Sequence, residues 1–78
     1  MNTAKYIVTN GCMIVFSAAL KHSYFKDFNI TSAGFVSFGI DENNNTSARC
    51  YGESTSLGIK SNPEKDTRLA NFQILANY

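Results

Sequence analysis

One segment of the sequence, residues 50–64, concentrates side chains that suit the binding of a small anionic molecule. It contains two glycines, four Ser or Thr residues, a glutamate within a strand-like stretch and a lysine just before a predicted helix start. Glycine lets a ligand approach the backbone, hydroxyl groups donate and accept hydrogen bonds, and a helix N-terminus attracts anions. The segment therefore predicts a site for a phosphorylated, nucleotide-like ligand. The candidate binding residues are Gly52, Glu53, Ser54, Ser56, Lys60, Ser61 and Asn62.

Within this site, we expect Lys60 and the backbone N–H groups that follow Asn62 to hold the phosphate. Glu53 is suited to accept a hydrogen bond from a base amino group or a ribose hydroxyl. The same residues also have ordinary structural roles. The hydroxyl run can form the solvent face of an edge strand, Gly52 can mark a bulge, and Asn62 can begin a helix without any ligand. The sequence leaves both interpretations open.

Patterns for catalysis and metal binding are missing from the sequence. There is no GxSxG, HExxH or P-loop pattern. The single histidine, His22, is interpreted as a surface residue. Together with Cys12 and Cys50 it cannot complete a four-ligand zinc site without carboxylates, and there is no CxxC spacing. We therefore expect no enzyme activity, no catalytic residue, no metal and no cofactor.

The length of 78 residues predicts a single domain, residues 1–78, whose hydrophobic fraction of 44% suits a folded globule. A chain this short buries only about 60% of its unfolded surface, so it gains from further burial. We expect a homo-oligomer, with Phe35, Ile74 and Tyr78 as candidates for the contact surface.

Charge and hydropathy narrow the choice of partners. Seven Lys or Arg and six Asp or Glu residues give a net charge of +1, which provides no basic face for duplex nucleic acid. The longest apolar run, Cys12–Phe16, is far shorter than the roughly 20 residues of a membrane span. No signal-peptide pattern is present. We expect a cytoplasmic protein without a membrane partner, in which both cysteines are buried thiols.

The first half of the chain predicts a hairpin followed by a helix. Residues 4–9 alternate as a strand, Asn10-Gly11 predicts a tight turn, and Cys12–Phe16 is a continuous apolar run typical of a central strand covered on both faces. Ser17 can cap a helix from Ala18. The four-residue spacing of Leu20, Tyr24 and Phe28 places them on one face of that helix.

The second half repeats this order. Residues 30–40 predict a third strand, residues 41–45 a turn, and residues 46–59 a fourth strand with a break at Gly52. Asn62 and Pro63 predict the cap and first residue of a final helix. Its apolar stripe is Leu69, Phe72, Leu75 and Ala76. The order β-β-α-β-β-α predicts an α+β fold, a four-stranded antiparallel or mixed sheet with two helices on one face.

Residues 31–35, 50–54 and 60–64 resemble a family of small uncharacterised proteins from gut bacteria and their phages, and the likeness covers most of the chain after Ile30. The resemblance implies no particular activity. Small phage proteins of this size are often inhibitors of host defence, and some resemble sponges, oligomers that sequester cyclic nucleotide signals without cleaving them.

Two functions follow as hypotheses. One is a non-catalytic oligomeric binder of a nucleotide-like anion, of the sponge type, in which Glu53, Lys60 and the neighbouring hydroxyls converge on a pocket. The other is a protein-interaction or inhibitor module, which needs exposed apolar area around Phe35 on an open sheet face.

Overall fold

The computed structural model describes residues 2–40 and 42–74 and has one four-stranded antiparallel sheet, with strand order β2-β1-β3-β4. The strands are β1, Asn2–Thr9; β2, Cys12–Phe16; β3, Ile30–Ile40; and β4, Thr46–Tyr51. A separate two-stranded hairpin follows, with β5 at Glu53–Ser54 and β6 at Ile59–Lys60. The only α-helix of these residues, α1, spans Pro63–Gln73. The predicted α+β class and four-stranded sheet are confirmed.

The first hairpin has the predicted turn. Asn10 and Gly11 have φ angles of 52° and 78° and connect the paired residues Thr9 and Cys12. Two positive φ angles in a two-residue connection are the geometry that Asn-Gly favours, because it matches the twist of the flanking strands.

The position of β2 in the sheet differs from the prediction. It is an edge strand, and β1 and β3 are central. Its apolar run is explained by cover on both faces: Met13 is buried in the core beneath α1, while Phe16 packs against Phe25 with ring centroids 4.5 Å apart. An edge strand between two covering elements has the same sequence pattern as a central one.

The helix predicted to begin at Ala18 does not form. Residues His22–Phe25 form one turn of 3₁₀ helix between tight turns. This segment packs on the sheet face opposite α1, because His22 contacts Phe16 and Phe35 at centroid distances of 5.5 Å and 5.8 Å. The rings of His22 and Phe25, three residues apart, are the ones that contact the sheet, which suits 3₁₀ spacing. Leu20, Tyr24 and Phe28 are exposed instead.

The predicted fourth strand ends at Tyr51, and the predicted break at Gly52 is confirmed. Gly52 has a φ of 79°, and a Cβ at this position would lie 3.0 Å from the Phe35 ring. The chain therefore leaves the sheet at a position that favours glycine. It then forms the β5–β6 hairpin, in which Glu53 pairs with Lys60.

Helix α1 begins as predicted, with Asn62 at the N-cap position and Pro63 as its first residue. Its buried face is shifted from the predicted stripe. Asp66 and Ala70 are buried and Leu69 and Ile74 pack against the core, whereas Phe72 is 76% exposed. Leu75, Ala76 and Tyr78 lie outside the described residues. The core also contains residues from all four sheet strands: Tyr6, Val8, Met13, Val36, Ala48 and Cys50.

Side-chain amides of α1 bind the outer edge of each edge strand. Asn71 accepts a hydrogen bond from Ala48 N (2.9 Å) and donates one to Ala48 O (3.0 Å). Gln73 does the same for Met13, at 2.9 Å and 3.0 Å. Two residues apart on a helix, these amides project about 200° from each other and reach opposite edges. The backbone of each edge strand is therefore already paired at these positions.

The described residues contain no helix with the length and hydropathy of a membrane-spanning segment.

Candidate functional site

The predicted ligand-binding residues lie on the β5–β6 hairpin and at the start of α1. Glu53 and Lys60 are exposed and directly opposite each other across the hairpin, so their side chains share a face. Gly52 and Ser56 are also exposed. These four residues therefore keep groups that are accessible to solvent, but the two charged side chains have opposite signs.

The remaining three predicted residues are engaged within the chain. Ser54 is buried, and its hydroxyl accepts a hydrogen bond from Leu57 N at 3.2 Å. The Ser61 hydroxyl donates to Gly52 O at 2.6 Å. The backbone N–H of Asn62 donates to Asp66 Oδ2 at 2.9 Å. The Asn62 side chain makes no capping hydrogen bond to the first turn of α1.

Asp66 is the most buried charged side chain in the described ranges, with 1% exposure. Its carboxylate accepts hydrogen bonds from Tyr6 OH at 2.5 Å, Ser32 Oγ at 3.0 Å and Asn62 N. Three donors offset the cost of removing this charge from water. The sequence analysis did not select Asp66 as a candidate residue. The signal that was missed is its spacing of three and four residues from Leu69 and Ala70.

The buried cluster around Asp66 changes the acidity of its neighbours. Burial raises the pKa of the Tyr6 phenol well above its ordinary range, and the carboxylate of Asp66 raises it further. Burial also raises the pKa of the Cys50 thiol to about 11, with a further contribution from the charge of Asp66. Both groups therefore stay neutral at physiological pH. Cys50 is buried as predicted, whereas Cys12 is exposed.

His22 has a structural role in place of the predicted surface position. It is 4% exposed, and its Nε2–H donates to the carbonyl oxygen of Gly34 at 2.9 Å. The last β3–β4 pair is Phe35 with Tyr51, so Gly34 lies just beyond the point where β4 leaves the sheet. At Gly34 there is no β4 residue left to pair with β3, and the His22 imidazole donates the hydrogen bond that the Gly34 carbonyl would otherwise lack.

An open groove lies on the sheet face that carries the 3₁₀ turn. Its volume is about 510 Å³, and its lining includes Ser37, Gly39, Ser47, Arg49 and Tyr51. These side chains belong to three successive cross-strand pairs of β3 and β4: Phe35 with Tyr51, Ser37 with Arg49, and Gly39 with Ser47. Alternation along each strand puts all three pairs on one face.

An aromatic pair and a line of hydroxyls extend from the groove through two of its lining residues, Tyr51 and Ser37. The Tyr51 ring is 40% exposed and stacks on Phe35, with centroids 5.9 Å apart. The Ser37 hydroxyl donates to Tyr51 OH at 3.3 Å and lies 3.3 Å from the hydroxyl of Thr3. The groove therefore combines a ring surface with polar atoms that cross three strands.

Arg49 supplies the positive charge of the groove. Its guanidinium is exposed and has no hydrogen-bond or ion-pair partner within residues 2–40 and 42–74. The single ion pair of these ranges, between Arg68 and Glu64 at 3.8 Å, lies on α1. A free guanidinium offers planar donors suited to a carboxylate or phosphate. Sequence interpretation did not select Arg49, although its alternation with Tyr51 on β4 was visible.

A second cavity of about 390 Å³ lies where the predicted phosphate would bind, beside the start of α1. Its lining includes Ser32, Asn62, Lys65 and Asp66. The buried carboxylate of Asp66 places a negative charge in the lining of this cavity. The positive charge of Lys65 cancels it, so the lining has no net positive charge. The Arg49 groove is the better of the two for an anion because its lining charge is positive and unpaired.

Within the described part of the chain, no three His, Cys, Asp or Glu side chains are close enough to hold a metal ion. Comparison with protein-family models, curated proteins and solved structures found no match. The resemblance to proteins of gut bacteria and phages therefore stays a prediction.

Proposed function

We propose that this protein is a non-catalytic binding protein for a small anionic ligand with a planar ring, of nucleotide type, held in the groove of β3 and β4. The observation that carries the proposal is the unpaired guanidinium of Arg49 next to the exposed ring of Tyr51. These residues lie two apart on one strand, so about 7 Å separates their Cα atoms. A nucleotide spans that distance with its base on one group and its phosphate on the other.

The size and polarity of the groove support a small ligand. Its volume of about 510 Å³ falls within the range of about 300–1,000 Å³ that is usual for small-molecule sites. Base stacking on an aromatic side chain contributes about 1–3 kcal/mol per base, and a hydrogen bond to a charged group about 1.5–3 kcal/mol. Together these two contacts contribute about 2.5–6 kcal/mol, less than the roughly 8.2 kcal/mol of a micromolar complex, so micromolar binding requires further contacts with the groove or with a second protomer.

The proposed ligand site lies on the sheet face and not on the neighbouring β5–β6 hairpin, where the sequence alone predicts it. On the hairpin, the charge of Lys60 has Glu53 opposite it, and the hydroxyls of Ser54 and Ser61 are engaged within the chain. Arg49 has no such opposing charge. The two locations make different predictions for the variants Arg49→Ala and Lys60→Ala.

A binding role without turnover is consistent with the groove lining. His22 is buried and hydrogen-bonded to Gly34 O, and the titratable side chains that line the groove are Arg49 and Tyr51. Neither is suited to act as a general base at neutral pH. We propose that the protein sequesters its ligand, as a homo-oligomer, in the manner of the sponge-type inhibitors described above.

The alternative, an interaction module acting through an open sheet around Phe35, has less support. Phe35 lies between the rings of His22 and Tyr51, and the edges of the sheet are bound by Asn71 and Gln73. Tyr24 and Phe28, in and next to the 3₁₀ segment, are among the apolar side chains that are more exposed than Phe35.

A thermal-shift screen against mono-, di- and cyclic nucleotides tests the proposal. A ligand at a hundred times its dissociation constant adds about 2.7 kcal/mol of stability, a large shift for a domain of this size. Isothermal titration calorimetry then measures affinity for each hit. The absence of any stabilising nucleotide at millimolar concentration would refute the nucleotide-binding function.

A further inference from the structure

The three hydroxyls of Thr3, Ser37 and Tyr51 have a defined direction of hydrogen bonding. Ser37 Oγ donates its single hydrogen to Tyr51 OH at 3.3 Å. Because that hydrogen is used, the contact of 3.3 Å between Thr3 Oγ1 and Ser37 Oγ requires Thr3 to be the donor. This chain of hydrogen bonds therefore runs from Thr3 on β1 through Ser37 on β3 and ends at Tyr51 on β4.

This direction leaves the hydrogen of the Tyr51 hydroxyl without an acceptor in the described part of the protein. Tyr51 OH accepts from Ser37, and it donates to no atom within residues 2–40 and 42–74. A hydroxyl that accepts one hydrogen bond becomes a better donor in turn, because a chain of hydrogen bonds polarises each member. The free donor lies on the same strand face as the guanidinium of Arg49, which also has only donors.

We infer that Tyr51 contributes a second donor to the anionic group of the ligand and sets the preference of the groove for a phosphate over an uncharged ring compound. This inference rests on the proposed function and adds a role to a residue whose ring already serves for stacking. Two kinds of donor on one strand face suit oxygens that carry negative charge. An uncharged nucleoside gains only the ring contact.

The substitution Tyr51→Phe separates the two roles of the residue. It removes one oxygen and leaves the ring in its stack on Phe35, so the fold is unaffected at this exposed position. Tyr24→Phe is the matched control, because it removes the same atom from another exposed tyrosine outside the groove. Thr3→Val tests the far end of the hydroxyl chain.

The probes are adenosine 5′-monophosphate and adenosine, titrated by calorimetry. We expect Tyr51→Phe to weaken binding of the monophosphate about 10-fold or more, as for the loss of a hydrogen bond to a charged group, and to leave adenosine binding within about twofold. Tyr24→Phe leaves both affinities unchanged, and Thr3→Val weakens only the monophosphate, by less than Tyr51→Phe.

Three results would overturn the inference. If Tyr51→Phe binds the monophosphate as the wild type does while Arg49→Ala has lost it, the proposed function stands and the second donor does not exist. If Tyr51→Phe weakens both probes equally, the hydroxyl contacts the nucleoside instead of the phosphate. If the wild type binds no nucleotide in the screen, the proposed function fails and this inference fails with it.

Discussion

Asn71 and Ala48 are joined by two hydrogen bonds, in which the carboxamide of α1 pairs with the N–H and C=O of the edge strand β4 as a neighbouring strand would. Asn71 Nδ2 also donates to Thr67 O within the helix at 2.8 Å, which fixes the side chain in this orientation. The helix thus holds the sheet by backbone-like bonds as well as by apolar contacts.

We expect Asn71→Leu to lower the free energy of unfolding by about 1–3 kcal/mol, because it leaves the N–H and C=O of Ala48 without partners. Urea denaturation followed by circular dichroism measures the change. Arg68→Ala, an exposed position on the same helix, is the control and should cost about 0.5 kcal/mol or less. Equal effects of the two substitutions would show that the carboxamide adds nothing to the helix–sheet contact.

The buried carboxylate of Asp66 gives a second stability prediction. Asp66→Asn places an NH₂ group among three hydrogen-bond donors, so at least one of them loses its acceptor. We expect a loss of about 2–4 kcal/mol, since these are bonds to a buried charge. Glu64→Gln, the same chemical change at an exposed position of α1, should alter stability by less than about 0.5 kcal/mol. A loss as small as that of the control would exclude a structural role for the carboxylate.

The raised pKa of Cys50 predicts destabilisation at high pH. The unfolded thiol, with an ordinary value of 9.0, loses its proton before the folded one, whose pKa is about 11. Between these two pKa values the folded state holds more protons than the unfolded state. The free energy of unfolding therefore has its full value below pH 9 and falls by about 2–3 kcal/mol as the pH rises toward 11. The raised pKa of Tyr6 acts in the same direction above pH 10.

Urea denaturation at several pH values measures this slope. Cys50→Ala is less stable at neutral pH because it leaves a small cavity. Between pH 9 and pH 10, however, its free energy of unfolding should no longer fall as the pH rises. Cys12→Ala is the matched control at an exposed thiol. A slope that persists in Cys50→Ala would assign the alkaline destabilisation to another group.

Variants of the groove test where the ligand binds. Arg49→Ala should weaken nucleotide binding by about 1.5–3 kcal/mol and leave stability nearly unchanged. Gly39→Leu should block the groove without disturbing the fold, because a Cβ at Gly39 meets no atom within 4 Å. Arg68→Ala is the control for loss of a positive charge. If Lys60→Ala and Glu53→Gln abolish binding while the groove variants retain it, the ligand binds at the hairpin as the sequence alone predicts.

Self-association remains a prediction, and the structure identifies which apolar side chains to test. Phe35 and Ile74 are half-buried within the chain, whereas Tyr24 and Phe28 are exposed. We expect the double variant Tyr24→Ser, Phe28→Ser to dissociate an oligomer, as measured by sedimentation velocity over a dilution series. Ile40→Ser and Phe72→Ser together remove two apolar groups elsewhere that are also exposed, and should have no effect. A wild type that is monomeric at tens of micromolar would end this hypothesis.

Local signals in the sequence were reliable at positions where the residue type alone determines the backbone conformation. Asn10-Gly11, Gly52 and Pro63 each mark the turn, break or helix start that the structure has. Asn10, Gly11 and Gly52 have positive φ angles that few residues adopt, and the ring of Pro63 fixes a φ that suits a helix start. No distant contact is therefore needed to predict these positions.

Long-range packing explains the predictions that were wrong. The four-residue spacing of Leu20, Tyr24 and Phe28 indicated a helix, but the contacts of His22 and Phe25 with the sheet determine the segment. Likewise, the burial of Asp66 depends on Tyr6, sixty positions away. Charges and hydroxyls brought together by strand pairing, such as Arg49 and Ser37, share a site only once the register of β3 and β4 is known.

Helix α1 follows every strand along the chain, and this order matters while the protein is being synthesised. The four sheet strands can pair once Tyr51 has left the ribosome, but the amides of Asn71 and Gln73 come later. Until these amides dock, Met13 and Ala48 present free N–H and C=O groups to any extended chain nearby. An extended segment of another newly made chain is therefore a competitor of α1 for the edges of this sheet.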